Sequence, residues 1–176
     1  MPTRPPTDIT VRPAHTSDVK AIRGFIDAYA PSRMLLNKPT VTLYEDVQEF
    51  WVAERPDSDG SASVVGCGAL HVMWEDLAEV RTLAVDPAHR GLGIGHLLLA
   101  RLLRAARELG IRRVFCLTFE VEFFAAHGFV EIDGSPVAAD VYEELLRSYD
   151  EGVAEFLDLE RAKPNTLGNT RMLLRL

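Results

Sequence analysis

The chain has 176 residues, a length that suits one domain with a sizeable core. Its apolar fraction of 47% and charged fraction of 26% are ordinary for a soluble globular protein. A net charge of −7, from 19 Lys+Arg against 26 Asp+Glu, argues against a nucleic-acid or anionic-membrane partner held by bulk charge.

Residues 1–8, "MPTRPPTD", read as a loose proline-rich tail with no apolar stretch of a signal peptide. Residues 9–176 are expected to form a single domain. No apolar run approaches the ~18–20 residues that span a bilayer. Cys67 and Cys116 both fall inside apolar runs and read as buried thiols in a reducing compartment. No His/Cys cluster has zinc spacing, so a cytoplasmic, metal-free chain is expected.

In chain order, "ITVRPA" (Ile9 to Ala14) alternates like a strand. Ser17 or Asp18 can cap a helix whose apolar residues Val19, Ile22, Phe25 and Ile26 recur at helical spacing, and Pro31 ends it. After the linker "RMLLNKPT", a second helical segment runs through about Thr42 to Phe50. "FWVAER" then reads as a strand, "PDSDGSA" as a hairpin loop and "SVVGCGALHVM" as the returning strand. "WEDLA" turns the chain into a further strand, Glu79 to Val85.

Leu97, Leu98, Leu102, Leu103, Ala106 and Leu109 mark an amphipathic helix, with Gly110 as its stop. "RRVFCLTF" (Arg112 to Phe119) is nearly continuously apolar, as in a strand buried on both faces. "EVEFFAAHGF" is a short helix ending at Gly128, and "FVEI" opens another strand. From Ser135 to Lys163 the chain turns acidic and helical, and "RMLLRL" closes as a strand. The order β-α-α-β-β-β-α-β-α-β-(α)-β predicts an α/β (α+β) fold on a mixed sheet.

Between the Glu79–Val85 strand and the long helix lie glycines at 91, 93 and 95. Such a loop lets backbone N–H groups converge at a helix N-terminus and hold an anion such as pyrophosphate without a side-chain cation. The dinucleotide fingerprint G-x-G-x-x-G fails on spacing, and no Gly-Lys-Ser/Thr of a Walker loop occurs. Three alternating glycines alone would equally suit a flexible turn.

Their context is more specific. "LAVDPAHRGLGIGHLLL" resembles the acetyl-CoA-binding motif of the GNAT superfamily of N-acyltransferases. "VRPAHTSDVKAI" is similar to the first strand and helix of that superfamily, and "FFAAHGF" to its helix–strand junction. The resemblance implies a GNAT fold, a mixed central sheet with splayed fourth and fifth strands and flanking helices. It implies acetyl-CoA as cosubstrate, with Leu83, Ala84 and Val85 of the fourth strand along the pantetheine arm. Main-chain amides of Gly91, Leu92, Gly93, Ile94, Gly95 and His96 would hold the pyrophosphate. Arg90 either adds charge or locks the loop. Phe124 occupies the place where many relatives carry a tyrosine that protonates the departing thiolate, which leaves Thr118, Tyr142 or water for that role.

Within the superfamily, "RMLLNKPTVTLYEDVQEFWVAE", "VVGCGALHVMWEDLAEVRTLAVDPAHRGLGIG" and "LTFEVEFFAAHGF" together resemble the acetyltransferase domain of bacterial N-acetylglutamate synthases. The resemblance implies acetylation of the α-amino group of L-glutamate, or L-glutamine, as the first step of arginine biosynthesis. It implies the short, single-domain form. An α-amino group is mostly protonated at neutral pH and must lose a proton before it attacks a thioester. Glu79 matches the acidic residue that draws it off, and the Leu83 N–H matches the donor to the thioester oxygen.

Lys38, the one lysine between Lys20 and Lys163, matches a basic ligand for the acceptor's carboxylate. Arg81 and Thr82 on the fourth strand are further acceptor contacts. "GNTRML" resembles a family stretch Arg-Asn-Ser-Lys-Val-Leu, so Thr170 matches the serine, but Gly168 stands where an arginine is expected. Arg81, Arg33 and Arg171 are the candidates to replace it. The segment Ser148 to Pro164 is longer than in the family, and its Val153, Phe156 and Leu157 suit packing. The partner is then a small amino acid, in a chain that forms a homodimer if it follows the superfamily. The alternatives are a GNAT enzyme for a polyamine, aminoglycoside or protein N-terminus, which the net charge of −7 keeps open, and a non-catalytic acetyl-CoA or arginine sensor, which the missing tyrosine slightly favours and Glu79 opposes.

Overall fold

The computed structural model describes residues 8–32, 35, 37–159 and 168–176. Of the expected tail, 1–7 lie outside the described residues, and the Asp8 carboxylate comes within 3.8 Å of Arg55 Nε. The elements follow the expected order: β1 (Thr10–Pro13), α1 (Val19–Tyr29), α2 (Thr40–Glu45), β2 (Phe50–Pro56), β3 (Ala62–Trp74), β4 (Leu77–Val85), α3 (Ile94–Glu108), β5 (Arg113–Thr118), α4 (Val121–Ala125), β6 (Val130–Glu131), α5 (Ala139–Leu145), α6 (Glu151–Phe156) and β7 (Thr170–Arg175). They form a seven-stranded mixed sheet in the order β1-β2-β3-β4-β5-β7-β6.

Several boundaries differ from the sequence reading, each for a local reason. Helix α2 stops at Glu45, and a 3₁₀ turn at Val47–Glu49 leads into β2 at Phe50. Phe50 and Val52 are wanted at strand spacing in the core, which overrides a longer helix. Strand β4 begins at Leu77, two residues before Glu79, because the β3–β4 connection needs only Glu75 and Asp76. No side chain caps α1: the Asp18 carboxylate instead accepts the His15 N–H and the Arg12 guanidinium, both at 2.7 Å. Leu109, expected on the buried stripe of α3, is exposed, since it is the C-cap and the chain leaves through left-handed Gly110.

The chain divides into two compact units, Met1–His71 with Val80–Leu109, and Val72–Glu79 with Gly110–Leu176. In the first, β1, β2 and β3 are antiparallel neighbours. Alternate residues of β2 serve two clusters, Phe50 and Val52 packing with Ile22 and Ile26 of α1, and Ala53 with Ile94 and Leu98 of α3.

In the second unit β5 is buried from Val114 to Cys116 and pairs antiparallel with β7. Its core joins Leu77, Phe115 and Leu173 to Val153, Phe156 and Leu157, so the described part of the long insert does pack. Residues 160–164 of that insert lie outside the described residues. Phe156 is fully buried and meets Phe115 edge-on at 4.9 Å, a burial worth about 2–3 kcal/mol. Both cysteines are free and buried.

Candidate active site

The nucleotide half of the expected site lies in the first unit. After Val85 the Asp86 carboxylate folds back to accept the Ala88 N–H at 3.0 Å and meets His89 Nδ1 at 3.1 Å, while the Asp86 N–H bonds the Val65 carbonyl at 2.9 Å. This pins the turn before the loop. Gly91 and Gly93 then take φ of 77° and 80°, left-handed values that a side chain strains. Gly93 is the N-cap of α3 and offers no capping side chain. The first turn of any helix carries N–H groups with no intrahelical partner, and here that turn is formed by Ile94, Gly95 and His96.

Exposed Arg90 lies over the Tyr29 ring, 5.4 Å from its centroid, and the Tyr29 hydroxyl donates to the Val85 carbonyl at 2.6 Å. Of the two roles open to Arg90, this contact supports locking the loop. Tyr29 was not legible as a site residue, because a tyrosine closing an amphipathic helix reads as core. Leu83 and Val85 are half-buried and Ala84 is buried, and Thr82 has φ 53°.

Of the residues expected to contact the acceptor, Arg81 is buried in β4. Lys38 is also buried, with Nζ 3.5 Å from Asp46 Oδ2 and its carbonyl accepting from the Arg23 guanidinium. Lys38 therefore has a structural partner that its isolation in the sequence did not suggest. Arg33 lies outside the described residues.

The second unit holds Glu79, Thr118, Phe124 and Thr170. Glu79 is 4% exposed and ends the parallel ladder in which Leu77–Glu79 pairs with Arg113–Phe115. Its charge reaches Cys116, whose thiol is pushed well up by burial first and by Glu79 second. Thr118 lies three residues along β5 from Phe115, roughly 10 Å away. It is buried, and its Oγ1 accepts the Glu120 N–H at 2.8 Å. Thr170 pairs with it across the ladder. Phe124 is buried edge-on between Phe123 and Phe129, at 5.2 Å from each. The Tyr142 hydroxyl points at the Leu157 carbonyl, 3.5 Å away.

Gly168 has φ 88°, and a Cβ there would lie 3.3 Å from Phe119 Cε1. An arginine is therefore strained at that position. Arg171 does not replace it, since its guanidinium donates to the carbonyls of Gly134, Glu155 and Phe156. Burial lowers its pKa, against the nearby charges of Asp158, Glu155 and Glu79.

A strand, a pinned turn, a left-handed glycine loop and a long helix are the parts of one family profile. "Acetyltransferase (GNAT) family" matches residues 22–131. The chain belongs to the GNAT family of acetyltransferases. This GNAT chain is 65% identical over 164 residues to the "Amino-acid acetyltransferase" of Mycobacterium tuberculosis, covering 93% of this chain and 92% of the relative. A crystal structure from the same organism, in complex with CoA and a ligand designated NLQ, matches with TM-score 0.90 and 64% identity, over 95% of this chain and 99% of the other. N-acetylglutamate synthase from Neisseria gonorrhoeae, complexed with coenzyme A and N-acetyl-glutamate, matches with TM-score 0.73 and 26% identity, over 96% of this chain but 35% of the synthase. As a GNAT enzyme the protein uses acetyl-CoA. Among the described residues no helix is long and apolar enough to cross a membrane.

Proposed function

We propose that the protein transfers the acetyl group of acetyl-CoA to the α-amino group of L-glutamate or L-glutamine, the entry step of arginine biosynthesis. The observation that carries this reading is the 65% identity, nearly end to end in both chains, with an amino-acid acetyltransferase. The solved relatives hold CoA with NLQ or with N-acetyl-glutamate, which supports an amino-acid acceptor.

In this reading the N–H groups of Gly91 to His96 hold the pyrophosphate, and Leu83 to Val85 line the pantetheine arm. Glu79 takes the proton from the acceptor's ammonium group, directly or through water, and leaves an amine able to attack. The Leu83 N–H stabilises the oxyanion as the amine adds. Thr118 donates a hydrogen bond to the departing thiolate, since its oxygen already accepts from Glu120 and leaves its O–H to donate; the proton that completes the thiol is the one the nitrogen sheds as the intermediate collapses. Lys38, Arg81, Thr82 and Thr170 hold the acceptor, and a strained position 168 favours an acceptor that does not need an arginine there. The reading carries with it a small-molecule partner, a homodimer, a cytoplasmic setting and no nucleic acid, the last supported by the net charge of −7.

Thiol release from acetyl-CoA, measured across the twenty amino acids, tests it. Turnover should rise above the rest for glutamate or glutamine. Turnover on a polyamine, with both amino acids inert, would overturn the reading.

A further inference from the structure

Thr82 lies in the middle of β4 with φ 53°, one of two non-glycine residues with positive φ among those described. A β-branched side chain makes this conformation costly, so its neighbours must hold it. The neighbouring strand β3 carries Gly66, Cys67 and Gly68 in the middle of an apolar run.

Cys67 is fully buried, and its thiol donates to the Thr82 carbonyl at 3.5 Å. The thiol thus holds the carbonyl of the peptide group that carries the Leu83 N–H. Burial pushes its pKa up to about 12, against the smaller opposing effect of Ala84, so it remains a protonated donor at neutral pH. The glycines make complementary room. A Cβ at Gly66 would lie 3.0 Å from the Ala84 carbonyl, and one at Gly68 would lie 2.9 Å from Leu83 Cδ1 and from Leu102 Cδ1.

We infer that Gly66, Cys67 and Gly68 form a seat that fixes the orientation of the Leu83 amide, with Cys67 as a positioning residue for the reaction. The inference rests on the reading of Leu83 N–H as donor to the thioester oxygen. A sulfur that merely filled space would not donate to the peptide group ahead of Leu83, and two glycines in mid-strand weaken a sheet unless something must approach closely.

The test uses the isotope-labelled acetyl carbonyl of enzyme-bound acetyl-CoA, whose infrared stretch moves to lower frequency when it accepts a hydrogen bond. The wild type should show that shift. Cys67→Ala should lose it, with kcat down about tenfold and acetyl-CoA affinity within about threefold. Cys67→Ser, which keeps a donor and an acceptor, should recover most of both. Cys116→Ala empties another buried thiol position and should lower the melting temperature while leaving kcat within about twofold. Gly68→Ala crowds Leu83 without touching the thiol and gives the same readout if Cys67→Ala fails to fold. A shift that survives in Cys67→Ala or Gly68→Ala overturns the seat alone. A wild-type carbonyl at its solution frequency overturns the Leu83 role itself.

Discussion

Thr118 and Thr170 are register partners in the antiparallel ladder of β5 and β7, so their side chains stand together on one face of the sheet. In the proposed reaction Thr118 is the one that donates to the leaving sulfur, its oxygen accepting the Glu120 N–H and its O–H left to donate. Thr118→Val should lower kcat by about tenfold, and Thr118→Ser should restore it. Tyr142 already faces the Leu157 carbonyl, so Tyr142→Phe should keep wild-type turnover. Steady-state thiol release checks all three, and an equal fall in Tyr142→Phe would move the role to Tyr142.

Glu79 is a buried carboxylate at the end of the β4–β5 ladder. Glu79→Gln keeps its shape but removes the base, so kcat should drop about 10²–10⁴-fold while acetyl-CoA binding measured by calorimetry stays level. The acidic limb of the pH–rate profile should change with it. Wild-type turnover with an unchanged profile would return Glu79 to a purely structural part.

The glycines of the loop should differ from one another in what they tolerate. A Cβ at Gly91 meets nothing within 4 Å, so Gly91→Ala bears only the strain of φ 77°, about 1–2 kcal/mol by chemical denaturation. Gly93 combines φ 80° with the N-cap of α3. Gly93→Val should therefore weaken acetyl-CoA binding as well, while circular dichroism reports an intact fold. Unchanged affinity in a folded Gly93→Val protein would remove the loop from the site.

Lys38 and Asp46 separate structure from recognition. If the 3.5 Å pair only supports the fold, Lys38→Met and Asp46→Asn should lower the melting temperature alike and leave the acceptor KM alone. The acceptor reading expects Lys38→Met to raise that KM about 10–150-fold, the equivalent of a charge-assisted contact of roughly 1.5–3 kcal/mol. Asp46→Asn should raise it far less. Kinetics with glutamate and glutamine distinguish the two.

The sequence was most readable where one pattern had one cause. The spacing of Val19, Ile22, Phe25 and Ile26 can bury a face only as a helix, and all four are buried. The glycine loop was legible because left-handed residues ahead of a helix leave few alternatives. Roles set by contacts remote in sequence were not. Tyr29 reaches Val85 across 56 residues, and Asp46 gives Lys38 a reason that no local pattern carries. Gly168 read as a missing arginine; the left-handed backbone beside Phe119 explains why a glycine is there.

Arg171 joins β7 to Gly134, Glu155 and Phe156 through their main-chain oxygens, and its guanidinium also lies over the Phe156 ring, 6.0 Å from the centroid. Every residue type presents the same carbonyl, so the hydrogen bonds themselves place no demand on which side chains stand at those positions, and the ring contact falls on Phe156 alone. The stretch around α6 is thereby free to change its exposed surface over evolutionary time without coming loose from the last strand. Variation there should spare Val153 for its burial, and Phe156 for its burial and for the arginine above its ring.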